Sequence, residues 1–72
     1  MEYNIGDRVK IVENLKELRE EGRDITTEML EFAGMYAIIK IKYLEPYGRR
    51  YLLDIDNEEW LWYEDFLLNW RE

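Results

Sequence analysis

The side chains that could carry out nucleophilic catalysis are scarce in this chain. It contains no His, no Cys and no Ser, so a nucleophile activated by an imidazole base is excluded. Apart from the tyrosines, the hydroxyl side chains are those of Thr26 and Thr27, which directly precede Glu28. Threonine before an acidic first turn is typical of a helix cap. We therefore expect the threonines to begin a helical turn, and we expect no enzymatic activity.

Paired carboxylates are the remaining candidates for acid–base chemistry. Asp54 and Asp56, and likewise Glu58 and Glu59, lie close together in one acidic segment, as a glycosidase pair would require. Such catalysis also needs a cleft that shifts a pKa, and a chain of 72 residues has little room for one. We interpret this segment as a solvated turn.

The same acidic segment has the oxygen-rich composition of a calcium-binding loop. An EF-hand loop requires glycine at its sixth position and glutamate at its twelfth. Counted from Asp54, these positions hold Glu59 and Asp65. The sequence therefore predicts no dedicated metal site, and we expect no cofactor.

The elements that position these residues belong to one small domain spanning residues 1–72. A chain of this length exposes roughly 4,900 Å² when folded and buries ~60% of its surface, which supports one thin core. Aromatic residues make up 15% of the chain and the net charge is −7. The absence of Cys and of any apolar stretch of ~20 residues favours a protein of the reducing cytoplasm, outside the membrane. The first residues have neither a basic region nor an apolar one, so we expect no leader peptide.

Alternation of apolar and polar residues predicts a mainly β fold. Val9 and Ile11 share one face of a first strand. The clearest strand covers 35–44 and places four apolar residues on one face, after which a turn at 45–48 leads to a partner strand at 49–55. The apolar residues of that face are Ala37, Ile39, Ile41 and Tyr43, and those of the partner strand are Tyr51, Leu53 and Ile55.

The remaining segments complete a small barrel. Residues 13–31 change to a helical period, with Asn14 and Glu17 spaced as a capping box and a second short turn around Met29. Residues 60–62 predict a further short strand, 63–66 a single helical turn and 67–70 a closing segment. Four to five short antiparallel strands with a long, partly helical first loop predict an SH3-like barrel.

Several segments resemble, in the same order, small SH3-like proteins of bacteriophages and prophages. The segments are 5–11, 28–34, 37–39, 51–53 and 60–65, which carry a Gly-Asp strand start, a Met-x-x-aromatic-x-Gly turn and a Trp-x-Trp-x-Glu/Asp motif. Met35 stands where those proteins usually have Lys, so no contact by that Lys carries over. The resemblance implies the same barrel and a phage accessory protein that occupies a host protein in the host cytoplasm.

Charge is segregated along the chain. Residues 13–31 contain seven acidic and three basic residues, and residues 54–65 contain six acidic and none basic. One interpretation is a solvated surface; the other is an acidic face that steers toward a basic, nucleic-acid-handling protein. In the second interpretation six carboxylates could occupy phosphate positions. They are Asp54, Asp56, Glu58, Glu59, Glu64 and Asp65.

Aromatic and apolar residues divide into core and contact candidates. Trp60 and Trp62 share one face of their strand and are expected to fill the barrel. Five others have the opposite parity and the composition of a binding hot spot. These contact candidates are Ile38, Tyr47, Leu52, Leu61 and Tyr63.

We expect a non-catalytic protein-binding module of phage type that modulates or inhibits a host or defence protein. Two alternatives stay open: an acidic nucleic-acid mimic of the anti-defence kind, and a structural, self-associating protein that uses Ile38 and Leu52. A third, an oligonucleotide-binding barrel, has the wrong net charge, so direct nucleic-acid binding is disfavoured. Its contacts would be Lys40, Lys42, Tyr47, Arg49 and Arg50. We expect a monomer or a weak homo-oligomer.

Overall fold

The computed structural model describes residues 3–45 and 48–70. Within these ranges five strands form one open antiparallel sheet in the order β4-β3-β2-β1-β5. The strands are β1 Arg8–Ile11, β2 Tyr36–Glu45, β3 Gly48–Leu53, β4 Trp62–Tyr63 and β5 Leu67–Asn69. One helix, α1 Leu15–Glu20, and two 3₁₀ turns, Glu28–Phe32 and Glu64–Phe66, lie in the connections. This arrangement confirms the predicted class, a mainly β, SH3-like small barrel.

The core lies between the curled halves of the sheet, and the alternation predicted from sequence places most of it correctly. Val9, Ile39, Tyr51 and Leu53 are fully buried, as is Trp62. Apolar side chains of the first loop close the core from one side; they are Leu15, Ile25 and Met29. The total exposed surface is 4839 Å², close to the value expected from chain length.

A bulge in β2 reverses the predicted orientation of its second half. Ile39 lies opposite Leu53, but Ile41 lies opposite Leu52, so Lys40 is an extra residue in β2. An extra residue shifts the alternation by one and exchanges the two faces. The prediction that Ile41 shares the inward face is therefore wrong: its side chain is 38% exposed.

The residues that follow the bulge are exchanged in the same way. Tyr43 was predicted to face inward but is 41% exposed. Lys42 was predicted to face outward, but it lies on the same face of the sheet as its strand partner Tyr51. Its Nζ donates to the Asn4 side chain at 3.1 Å. One extra residue thus changes which side chains the hairpin presents to solvent.

The first loop contains the two helical segments expected from its period. Leu15 is fully buried and holds α1 against the barrel. The predicted capping box is wrong, because the Asn14 side chain makes no capping hydrogen bond. Thr26 does act as a cap: its Oγ1 accepts from the Met29 N–H at 3.2 Å. No helix in the described ranges is long and apolar enough to cross a membrane.

An ion pair fastens this loop to the second 3₁₀ turn. Both terminal guanidinium nitrogens of Arg23, Nη1 and Nη2, donate to the Asp65 carboxylate, Nη2 at 2.9 Å. The guanidinium also lies 4.9 Å from the Phe66 ring centroid and 5.7 Å from that of Tyr63. The hydrogen bond from Arg23 holds the pKa of Asp65 below its usual value.

Tyr3 bridges the two sides of the open sheet. Its backbone N–H donates to the Tyr51 hydroxyl at 3.0 Å, and its own hydroxyl donates to the Leu67 carbonyl at 3.1 Å. The Tyr51 hydroxyl in turn donates to Glu64, which also accepts from Arg49. Burial raises the pKa of both tyrosines. Strands β3 and β5 do not pair with each other in the sheet. We call Tyr3, Arg49, Tyr51 and Glu64 the closure network, because their hydrogen bonds join these two strands.

Candidate protein-interaction surface

The outer face of β5, β1 and the first half of β2 carries an aromatic pair and two exposed large side chains, Tyr36 and Leu68. Lys10 lies opposite both Tyr36 on β2 and Leu68 on β5, and Arg8 lies opposite Ile38. Val9 on β1, Ala37 on β2 and Leu67 on β5 alternate with these residues and are buried, so this set projects outward. We call the set the outer patch; it consists of Arg8, Lys10, Tyr36, Ile38, Leu68 and Trp70.

The outer patch contains an aromatic pair, the exposed Tyr36 and the half-buried Trp70. Tyr36 is 48% exposed and Leu68 is 52% exposed. The Tyr36 ring packs against Trp70 with centroids 4.5 Å apart, and the Lys10 ammonium lies 5.8 Å from the Tyr36 centroid. Aromatic side chains that are already ordered lose little entropy on binding. Trp, Tyr and Arg are also the residue types that dominate binding hot spots.

A shallow depression adjoins this pair. It has a volume of about 210 Å³ and is lined by Arg8, Tyr36, Ala37, Ile38 and Asp54. Asp54 is fixed at its edge, since its Oδ1 accepts from the Ile38 N–H at 2.9 Å and its own N–H donates to the Ile38 carbonyl at 3.1 Å. The depression therefore has one apolar aromatic wall, one basic side chain and one acidic side chain.

The structure divides the predicted apolar contact residues between two regions. Ile38 lies in the outer patch, whereas Leu52 lies opposite Ile41 beyond the bulge. Tyr63 is opposite Arg50 on the β3–β4 side and is half-buried, with its ring against Phe66. Leu61 is 38% exposed and comes directly before Trp62, which pairs with Tyr51, so it lies near Leu52. Tyr47 lies outside the described residues.

The prediction that Asp56 belongs to an exposed acidic face is wrong. It is only 6% exposed, and its Oδ2 accepts from the Trp60 N–H and from the Trp62 indole N–H, both at 3.1 Å. A buried indole N–H needs an acceptor, and Asp56 supplies it. Asp56 is therefore a structural residue of the turn before β4 and is not available to imitate a phosphate.

Two further carboxylates of the predicted acidic face are paired within the domain. Glu64 belongs to the closure network, and Asp65 pairs with Arg23. Glu58 and Glu59 are exposed, and Asp54 is exposed while bonded to the Ile38 amide. In the described ranges no three acidic groups are placed so that they could hold a metal ion. The phosphate-like surface is thus reduced from six carboxylates to three.

The basic hairpin is also largely engaged within the domain. Lys42 donates to Asn4, and Arg49 donates to Glu64 at 3.3 Å. Arg50 lies over the Tyr63 ring at 5.6 Å. A groove that follows a nucleic-acid backbone needs cations directed at solvent. This arrangement gives no support to the oligonucleotide-binding alternative.

Sequence reasoning identified only Ile38 among the six residues of the outer patch and missed its aromatic and apolar residues Tyr36, Leu68 and Trp70. Tyr36 has the same parity as Ile38 on β2, so the alternation that singled out Ile38 could have found it. Leu68 and Trp70 alternate with the buried Leu67 in the same way. What the sequence does not show is that β1 lies between these two segments and joins them into one surface.

Comparison with known proteins adds no relative to this description. No family model, no curated protein and no solved structure matches the chain. The resemblance to phage SH3-like proteins therefore stays a prediction from sequence motifs. Function has to be argued from the surface itself, because a barrel of this kind serves many functions.

Proposed function

We propose that this domain is a non-catalytic protein-binding module whose partner contacts the outer patch. The observation that carries the proposal is the packed Tyr36–Trp70 pair, in which Tyr36 is exposed, beside the exposed Leu68. An ordered aromatic cluster flanked by Arg8 and Lys10 has the composition of an interface centre with a charged rim.

The size of the domain restricts where a partner can bind. A standard interface covers about 800 Å² on each partner, which is about a sixth of this molecule's 4839 Å². A contact of that size needs most of one sheet face. The outer patch spans three neighbouring strands and can form its centre, while Leu61 by itself cannot.

The charges of the outer patch are largely balanced. Lys10 donates to Glu13 at 3.3 Å, Arg8 is engaged within the protein, and Asp54 lies beside Arg8 at the edge of the patch. The aromatic and apolar side chains of this face, rather than a net charge, therefore support it as the contact surface. A basic, nucleic-acid-handling partner has less support, since Asp56, Glu64 and Asp65 are used inside the domain. The phage resemblance adds a host or defence protein as the expected class of partner.

Affinity capture with a matched pair of variants tests the proposal. The immobilised full chain is exposed to lysate of the cell in which it occurs, beside the variants Leu68→Asp and Leu44→Asp. Both leucines are exposed, 52% and 57%, and each lies opposite a basic residue, Lys10 and Arg49 respectively. The two substitutions therefore add the same charge in similar surroundings, one inside the outer patch and one outside it.

We expect a captured protein that Leu68→Asp loses by at least about tenfold, since a charge at the centre of an apolar contact costs more than 1.4 kcal/mol. Leu44→Asp should retain it. Equal capture by both variants would place the partner elsewhere and contradict the proposal. Circular dichroism of both variants confirms that each is folded.

A further inference from the structure

Glu13 connects the first loop to the outer patch through a short series of contacts. Its Oε1 accepts from the Lys10 ammonium at 3.3 Å, and that ammonium lies 5.8 Å from the Tyr36 ring centroid. The Tyr36 ring in turn packs against Trp70. The Lys10 side chain is 27% exposed although it projects outward, which agrees with a side chain held between Glu13 and the Tyr36 ring.

A glycine in the turn before β2 lets Glu13 take this position. Gly34 has φ +80°, and a Cβ there would lie 3.2 Å from the Glu13 Cγ, closer than an ordinary van der Waals contact. The Gly34 N–H donates to the Ile11 carbonyl at 2.9 Å, which places this turn beside the end of β1. Gly34 is the glycine of the Met-x-x-aromatic-x-Gly motif. The motif therefore leaves room for the carboxylate that holds Lys10.

The ion pair between Lys10 and Glu13 adds little to the free energy of unfolding, because solvent screens it. The Glu13 side chain is 76% exposed, and pairs of that kind contribute only weakly to stability. Their effect on order is separate from their effect on stability. A Lys10 side chain fixed against Tyr36 limits the arrangements open to that ring, and a surface that is ordered in advance loses less entropy when a partner binds.

We infer that Glu13 is a positioning residue of the outer patch. It holds Lys10 against Tyr36 and so keeps the Tyr36–Trp70 pair in one arrangement before a partner binds. The inference deepens the proposed function and rests on it for the effect on binding. The order of the aromatic pair can be measured on the free protein.

Three variants of the full chain separate the acceptor at Glu13 from its charge and from the fold. Glu13→Ala removes the acceptor together with the carbons that pack over Gly34. Glu13→Gln keeps those carbons and an oxygen that can accept from Lys10, but it removes the charge. Glu20→Ala removes one negative charge from an exposed position of α1 and serves as the control.

NMR relaxation of the Tyr36 ring and of the Trp70 indole N–H measures the order of the pair. We expect both order parameters to fall by at least about 0.1 in Glu13→Ala, on a scale where rigid groups lie near ~0.85 and flexible ones below ~0.6. Glu13→Gln should restore most of the loss, and Glu20→Ala should match wild type. In the capture experiment, Glu13→Ala should recover about threefold less partner than Glu20→Ala, because the patch must then be ordered on binding.

The inference is overturned if Glu13→Ala leaves the order parameters at the values of Glu20→Ala, or if it lowers them without reducing capture. It is also overturned if urea unfolds Glu13→Ala at a much lower midpoint than Glu20→Ala, since Glu13 would then act on the fold. Loss of partner in Leu68→Asp with unchanged order in Glu13→Ala would leave the proposed function standing and remove only the positioning role. Capture that Leu68→Asp retains would remove the proposed function, and the order parameters would still decide whether Glu13 positions the patch.

Discussion

The two halves of the sheet use their charged and aromatic residues in opposite ways. Around β3 and β4, charged side chains are directed at one another: Arg49 pairs with Glu64, and Arg23 with Asp65. Across β5, β1 and the start of β2, Tyr36 and Leu68 instead face solvent. The half that looked most functional in sequence, with its dense charge, is mostly devoted to holding the barrel together. The half with the plainer sequence carries the outer patch, which we propose as the binding surface.

This difference shows why charge segregation along a chain is weak grounds for a binding surface. The acidic segment 54–65 and the basic hairpin are separate in sequence but adjacent in the fold, so their charges partly neutralise each other. The predictions below test this division of roles, since changes in the first half should affect stability and changes in the outer patch should affect binding.

The largest effect on stability is expected at Asp56. Asp56→Ala removes the acceptor of two N–H groups, including the buried indole of Trp62, and should lower the free energy of unfolding by about 3 kcal/mol. Asp56→Asn keeps an acceptor and should lose less than about half of that. Glu59→Ala, an exposed acid of the same segment, should lie within about 0.5 kcal/mol of wild type. Urea unfolding followed by tryptophan fluorescence measures the free energy of unfolding of all three variants. A large effect of Glu59→Ala would contradict the division of roles between the two halves of the sheet.

The closure network should show the next largest effect. Tyr51→Phe removes the hydroxyl that joins Tyr3 to Glu64, leaving a buried N–H without an acceptor, and should cost about 2 kcal/mol. Tyr43→Phe removes an exposed hydroxyl and serves as the control, with a change below about 0.5 kcal/mol. Thermal unfolding of the two variants compares them directly. Equal stability of both would show that the network does not hold the barrel closed.

The smallest effect is expected at the ion pair between Arg23 and Asp65. Because the folded-state pKa of Asp65 is depressed, its stabilisation is complete above the unfolded value of about 3.9 and is lost as pH falls through the folded value. Asp65→Asn should cost about 0.5–1 kcal/mol at pH 7, since the carboxylate is largely exposed. Urea unfolding at pH 7 and at pH 3.5 should show this cost shrinking at the lower pH. A cost that grew at low pH would show that the ion pair between Arg23 and Asp65 is not the source of this stabilisation.

The fold could be predicted to the extent that local patterns determine it. The alternation around Val9, Ile39 and Tyr51 identifies three strands and their buried faces. The helical turn expected at 63–66 is present as Glu64–Phe66, whereas Tyr63 belongs to β4. The bulge could not be predicted, because a strand with an extra residue at Lys40 has the same local sequence as one without it. The pairing that creates the bulge depends on Leu52 and Leu53 in another strand.

The candidate site was harder to predict than the fold. Asp56 looks like any acidic turn residue, and only its position beneath Trp62 shows that it is buried. The sequence did contain a usable signal, because a buried tryptophan requires an acceptor for its N–H. Tyr3 offers no such signal: its partners Tyr51 and Leu67 lie 48 and 64 residues away along the chain.

That long separation has a consequence for how the chain folds. The bond from Tyr3 to Leu67 closes a loop of 64 residues, so it can form only after most of the chain is ordered. Barrels dominated by such distant pairings fold slowly, on a scale of about milliseconds to seconds. If Tyr3 docks after the rate-limiting step, Tyr3→Phe should leave the folding rate unchanged and speed unfolding. Tyr3, which joins β3 to β5, would then set the lifetime of the native state.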